Sequence, residues 1–451
     1  MRTTRHFPHH LIAVYLSAIS AAHAEDLLDI YRLARENDPA IRAATAAYAA
    51  AQEARPKSLS LLLPQVSATA NASRVREEIS NSAGLLSNID QSFSERGYGL
   101  DLVQSIYNHS YHVQLRQADS RLAKAEADYG AAQQDLILRA ARSYFDVLAA
   151  DQDLVFARSD RYSLGERLDQ TMQRYEAGAN TLTLVLEVQA SYDLAVANEV
   201  TAINALYSAR EGLRALTGVV HEELHVVAEG FPLEAPEPHD MTPWVQLGQR
   251  QNLKLLAAQA TEQIAREEVA RQSAGHLPSL DLVVSHRVDA FGGGGFGARD
   301  STISLIGVRL NVPLLSGGLV SALAREAAQL YIQATEQRVQ TQRAVERAVR
   351  DAYRAVLASI SMVRASKQGV TFNEAALEAV QTSYEAGKRT IQDVHSAQSN
   401  LYRAKRNYAE ARHNYLLNVL QLKEAVGALA PGDLEQVNAF LTAPVADTDN
   451  K

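Results

Sequence analysis

Proline is absent between Pro64 and Pro232, and again between Pro313 and Pro431. A proline inside a helix removes a hydrogen bond and clashes with the preceding turn, so these two spans permit helices far longer than the usual ~3 turns. The first span carries a heptad seam. One row reads Tyr111, Ala118, Ala125, Ala132, and its companion Leu115, Leu122, Tyr129, Leu136. Small and large residues alternate along it, which brings backbones close. A helix from about Ser110 to Tyr175 would measure roughly 100 Å at 1.5 Å per residue. A soluble coiled-coil rod would show the same seam, so the helices alone leave that reading open. The other prolines mark transitions: Pro64, Pro278 and Pro313 beside candidate strands, and Pro232, Pro236, Pro238 and Pro243 between two halves.

The halves repeat one another. Tyr175-Glu176-Ala177-Gly178 recurs as Tyr384-Glu385-Ala386-Gly387, an offset of 209 that also pairs Tyr144 with Tyr353, Gln189 with Gln398, Asn198 with Asn407 and Gly218 with Gly427. Leu63-Pro64 parallels Leu277-Pro278 at an offset of 214. The period is too long for a solenoid repeat. It predicts a duplicated unit of helix, strand, loop, strand, long helix, turn, helix. The expected division is residues 1–24 a signal peptide, 25–227 the first repeat, 228–243 a linker, 244–429 the second repeat and 430–451 a polar C-terminal tail.

Each repeat contains two runs of alternating character. Val66, Ala68, Ala70 and Ala72 alternate with Ser67, Thr69, Asn71 and Ser73; Tyr98, Leu100 and Leu102 alternate with Gly99, Asp101 and Val103. In the second repeat Leu280, Leu282 and Val284 alternate with Ser279, Asp281 and Ser285, and Ile306, Val308, Leu310 and Val312 with Gly307, Arg309 and Asn311. Strands are expected at about 65–76, 96–107, 279–289 and 302–313, joined by polar loops at Glu77–Glu95 and Phe291–Thr302. About ten residues with one apolar face suit a tilted strand with lipid outside and water inside. A half-buried strand of a soluble sheet has the same pattern.

The first residues favour the membrane reading. Arg2 and Arg5, the apolar run Leu11–Ala22 and the small residues of Ala22-His23-Ala24 follow the order of a secretory signal, with the mature chain expected to begin at Glu25. The chain has no cysteine, which excludes disulfides, thiolate metal sites and a lipidated N-terminal cysteine. The formal charge of −8 becomes −10 when the two arginines of residues 1–24 leave, which argues against nucleic acid. No later segment offers about 18 uninterrupted apolar residues, so any membrane passage falls to β-strands. Four strands cannot seal a barrel, since the smallest use about eight. An open edge in lipid leaves backbone groups unpaired. Two copies would give eight strands and a filled interior; three would give twelve and room for water.

Several stretches together resemble the TolC-type outer-membrane efflux and secretion channels, in the branch without a lipid anchor. They are Leu63-Pro64-Gln65, Gly275 to Leu282, Asn311 to Gly318, Ala386 to Val394 and Ala411 to Leu416. The resemblance spans about residues 25–429. It implies an α+β membrane protein: a homotrimer with a shared twelve-strand barrel in outer-membrane lipid, above a periplasmic barrel of long helices. It implies the exit duct of a tripartite efflux pump or type I secretion system, working with a periplasmic adaptor and an inner-membrane pump of RND, ABC or MFS type. Helix pairs twisted shut at the periplasmic end would untwist like an iris on docking. Gly178, Ala179, Asn180, Gly387 and Lys388 would be adaptor-facing helix tips, though C-capping alone explains the glycines. Asp393 would form a ring of three carboxylates at the narrowest point; the second acid of the family pattern is Ser396 here. Thr183, Tyr384 and Arg389 match a polar lock that holds the tips closed, while the acid expected beside Thr183 is Leu184. That departure implies a looser resting gate.

Other functions lack their parts. Gly292–Gly295 has no following Lys-Ser/Thr for a phosphate loop. His109 and His112 have no third ligand or glutamate base for a zinc hydrolase. No metal, cofactor or enzymatic activity is expected. A diffusion porin wants about sixteen strands in one chain. The competing reading is a periplasmic coiled-coil adaptor or scaffold without a pore, though no lipoyl-like strand cluster separates the helices.

Overall fold

The computed structural model describes residues 24–79, 89–293 and 297–443. The expected signal peptide, parts of both polar loops and the last residues of the expected tail lie outside this set. The first half runs α1 (Leu27–Asn37), α2 (Pro39–Gln52), α3 (Ala54–Ser60), β1 (Gln65–Ile79), β2 (Ile89–Tyr107), α4 (His109–Glu176) and α5 (Leu182–Thr217). After β3 (Val226–Val227) the order recurs as α6 (Met241–Gln251), α7 (Leu253–Ser273), β4 (Ser279–Phe291), β5 (Arg299–Asn311), α8 (Leu319–Glu385) and α9 (Ile391–Val426). The chain closes with α10 (Pro431–Asn438) and β6 (Leu441–Thr442).

The duplication extends to backbone angles. The α1–α2 joint is Asp38, with φ −63° and ψ 120°; the α6–α7 joint, 214 residues on, is Asn252, with φ −62° and ψ 121°. Both are N-caps. The Asp38 carboxylate accepts from the amides of Ala40 and Ile41, and the Asn252 side chain accepts from Leu255. α4 and α8, of 68 and 67 residues, are each folded back on a 36-residue partner, α5 and α9. α7 lies between α4 and α8 at the strand end, where buried Gln117 donates to the Ile264 carbonyl and the Glu268 carboxylate at 3.0 and 3.2 Å.

All neighbouring strands are antiparallel, in the order β1-β2-β4-β5, and β1 and β5 are edges within one protomer. The register aligns the faces. Val66, Leu102, Val284 and Ile306 form one continuous row across the sheet. The next row on the opposite face is Ser67, Asp101, Ser285 and Leu305. A slip of one residue in any strand would carry its apolar set to the other face. The strands outrun the expected boundaries. β1 reaches Ile79 and β2 starts at Ile89, where the sequence suggested a loop over Glu77–Glu95. The ladder continues past the apolar band on polar residues, clasped by Arg76 to Asp90 at 2.9 Å. β5 begins at Arg299 and stops at Asn311, short of the expected 313, because Pro313 has no N–H for the ladder.

A belt surrounds the middle of the helices and holds the main core. Leu27, Ile30, Tyr144, Phe145, Leu213, Leu416 and Leu420 are buried there. His413 stacks on Phe145 with centroids 5.1 Å apart, and burial beside Arg412 pushes its imidazole down to about 4, so it packs as a neutral ring. The expected polar tail at 430–451 is corrected in its described part. Helix α10 buries Leu434 and Val437, and β6 pairs with β3. Asn438 donates to Asp26 at 2.8 Å and accepts the Leu27 amide at 3.1 Å. Leu434, Val437 and Leu441, dispersed among polar residues, were enough to close the belt.

Asp38 makes acid sensitivity predictable. Burial alone would raise its pKa, but Arg139 at 2.7 Å and the amides of Ala40 and Ile41 outweigh it and hold the carboxyl below its ordinary value. A depressed folded-state pKa gives stability that is full above the unfolded value near 3.9 and fades as pH falls below it. Asp38→Asn keeps the cap but loses the charge. It is expected to cost about 1–3 kcal/mol at pH 7, with the gap to wild type narrowing as pH falls from 5 to 2. Denaturation midpoints across that range check it; a constant gap contradicts it.

Candidate functional site

The ends of the two helical hairpins lie together at the pole opposite the sheet. Each long helix stops at the same signal. After Glu176, Gly178 takes φ +75°, its amide bonds the Tyr175 carbonyl at 2.9 Å, and Ala179 reaches back to Arg174 at 2.8 Å. After Glu385, Gly387 takes φ +71°, with matching bonds to Tyr384 at 2.9 Å and from Lys388 to Ser383 at 2.8 Å. Glycine meets the left-handed requirement of this turn without strain. Asn180 is tied back by its side-chain amide to the Thr171 carbonyl at 3.4 Å, while Lys388 is exposed.

The helices that return begin differently. Thr390 caps α9 in a full capping box: its N–H donates to the Asp393 carboxylate at 2.9 Å, and the Asp393 amide donates to the Thr390 hydroxyl at 3.3 Å. In α5 the equivalent cap, Thr181, accepts only the Leu184 amide at 3.4 Å, because Leu184 stands 209 residues before Asp393. The Asp393 pKa is lowered first by the Thr390 backbone and hydroxyl hydrogen bonds, then by Arg389, whose Nη1 lies 3.7 Å from Oδ1. The box was legible as Thr-x-x-Asp; it gives Asp393 a local structural role beside any role in a ring.

Between the hairpins is a cleft of about 720 Å³. Its α4–α5 side includes Arg167, Arg174 and Leu184, and its α8–α9 side Tyr384 and Arg389. Of the three expected lock residues, Tyr384 and Arg389 thus share the cleft, whereas Thr183 is exposed on α5 and does not line it. The Tyr384 hydroxyl makes no hydrogen bond among the described residues. Sequence reasoning missed Arg167. It is 9% exposed, and its Nε is buried without a hydrogen-bond partner among the described residues. Burial lowers its pKa, and its charge adds to the burial that lowers the pKa of half-buried His395 on α9. The overlooked signal was the spacing of seven between Arg167 and Arg174, which repeats one row of the helix.

The family model described as "Outer membrane efflux protein" matches residues 30–219 and 244–428, one block in each half. The chain belongs to the outer membrane efflux protein family. It is 36% identical to outer membrane protein TolC of Vibrio cholerae over 446 residues, covering 96% of this chain and 98% of that one. It is 28% identical to the proteases secretion protein PrtF of Dickeya chrysanthemi, covering 96% of each. The fold matches the Campylobacter jejuni CmeC outer membrane channel with a TM-score of 0.77 at 17% identity, over 92% of this chain and 89% of that one. This efflux protein is therefore an outer-membrane exit duct for efflux or type I secretion, without enzymatic activity. It works as a trimer with adaptor and inner-membrane pump partners. The free edges of β1 and β5 are met by sister protomers, and the apolar rows become the lipid-facing wall.

Proposed function

We propose that the hairpin ends form the periplasmic gate of this duct. Asp393 from each protomer contributes to a ring of carboxylates at the narrowest point, and Gly178, Ala179, Asn180, Gly387 and Lys388 face the adaptor. The inner-membrane pump, of RND, ABC or MFS type, supplies the energy, and the duct is a passive conduit opened by iris-like untwisting of the hairpins. The observation that carries the gate is the cleft itself. It separates the two hairpins of one protomer, with Tyr384 and Arg389 on one side and Leu184, instead of an acid, on the other. No ion pair among the described residues joins the hairpins at the cleft; ties between them, Ser399 to Asp160 at 3.2 Å and Arg406 to Asp153 at 2.6 Å, lie farther from the tips.

An ionised Asp393 makes the gate sensitive to cations. In planar bilayers, a trivalent cation added on the side of the helix tips is expected to block wild-type current. Asp393→Asn, which keeps an acceptor for the cap, should weaken that block at least tenfold. Block that survives the substitution overturns the ring assignment and leaves the duct intact.

A further inference from the structure

We propose that the cleft between the hairpins is a binding site for a carboxylate-bearing ligand, which joins the hairpins across the position where Leu184 stands. The site rests on the gate reading for its consequence but not for its chemistry. Three guanidiniums, those of Arg167, Arg174 and Arg389, line the cleft against the single carboxylate of Glu187. Neither Arg167 nor Arg174 makes an ion pair among the described residues, and Arg389 has only the 3.7 Å contact to Asp393 in its own helix turn. Glu187 is exposed and likewise unpaired among the described residues.

A guanidinium in this position is costly. Arg167 is desolvated by its own protomer, keeps its proton, and leaves a buried donor unmet among the described residues. Such a group is a standing demand for an acceptor, and planar carboxylates suit its paired N–H groups. The duplication shows what is missing. At the equivalent place in the second repeat, Asp393 supplies a carboxylate to its cap and to Arg389. The first repeat offers the Leu184 side chain to the cleft instead. A ligand carboxylate seated between Arg167 on α4 and Arg389 at the α8–α9 turn restores the charge that residue 184 lacks. Because the two arginines belong to different hairpins, a free ligand seated there ties the hairpins together and narrows the resting pore, whereas a docked protein that supplies the carboxylate takes hold of both hairpins as the gate opens.

Two sources supply this chemistry, a free polycarboxylate and an acidic side chain of a docked protein, and one set of measurements separates them. Citrate and a glutamate-rich helical peptide are titrated by calorimetry into the detergent-solubilised trimer, using wild type, Arg167→Gln and Leu184→Asp. Wild type is expected to bind one of the two with a stoichiometry of one per protomer, and the tighter binder identifies the source. Arg167→Gln should weaken binding at least tenfold while the trimer stays intact. Leu184→Asp should weaken it similarly and, in bilayers, lower the resting conductance with no ligand present. Binding by neither probe, or binding indifferent to Arg167, overturns the proposal. A trimer that conducts and shows either result leaves the duct standing. A trimer that binds through Arg167 without any change in conductance upholds the site and overturns its action on the gate.

Discussion

Ile306→Arg is expected to abolish stable insertion of the trimer, whereas Leu305→Arg, one residue away, is expected to assemble. Ile306 is 79% exposed in the protomer and lies in the apolar row with Val66, Leu102 and Val284. It sits near the middle of β5, and hence close to the bilayer centre. An arginine there costs about 2–4 kcal/mol in a membrane barrel. Three protomers share one barrel, so the assembly bears about 6–12 kcal/mol, comparable with the roughly 5–15 kcal/mol that holds a typical folded protein together. Leu305 lies on the other face, in register with Ser285, Asp101 and Ser67. An arginine at that position meets water and an acidic residue in its row. The check is outer-membrane fractionation with unheated gel electrophoresis of the oligomer. Equal trimer yields from the two variants would contradict the assignment of one face to lipid and the other to water, and reversed yields would show that the faces have been assigned the wrong way round.

That contrast depends on register, the part of the fold that the sequence left dark. Alternation identifies the two faces of a strand but not its partner, and nothing in Val66 or Ile306 alone says that they share a row. The long helices were legible because missing prolines and a heptad seam act over dozens of residues. The strand ends were not, since Arg74 to Glu78 and Asp90 to Glu95 stand beyond the apolar band, where a ladder needs no greasy face. At the tips, Gly178 and Gly387 announce their turns through the backbone angles that only glycine adopts freely, and Tyr384 and Arg389 were found by resemblance. Arg167 stayed hidden because an arginine in a heptad row normally marks a solvated stripe. Its burial is a tertiary property, in a cleft shared with Tyr384 and Arg389, more than 200 residues away in sequence.

Leu434→Ala is the sharpest test of the belt, because it falls in a segment whose sequence reads as a polar tail. The side chain is fully buried, at 0% exposure, in the core that also contains Leu27, Ile30 and Leu213. Truncating a buried leucine removes its transfer energy and leaves a cavity, about 2–5 kcal/mol in all. Little can collapse into the gap. On the N-terminal side, α10 is pinned by Lys423 to Asp433. On the other side Asn438 bonds Asp26 and the Leu27 amide, and the Phe440 carbonyl accepts from Ala228 at 2.9 Å. The loss should therefore reach α1, which depends on Asn438 to satisfy its first amide. Hydrogen exchange reads this directly. Even 2 kcal/mol of lost local stability speeds exchange by a factor of about 30, so the amides of Leu27–Asn37 should lose at least that much protection. The amides near Gly178, at the far end of α4, should be unaffected. Unchanged protection in α1 would mean that α10 merely rests on the belt, and that the first helix is held by its own buried residues, Leu27 and Ile30 among them, together with the His221–Glu25 pair and the Glu25 strand bridge.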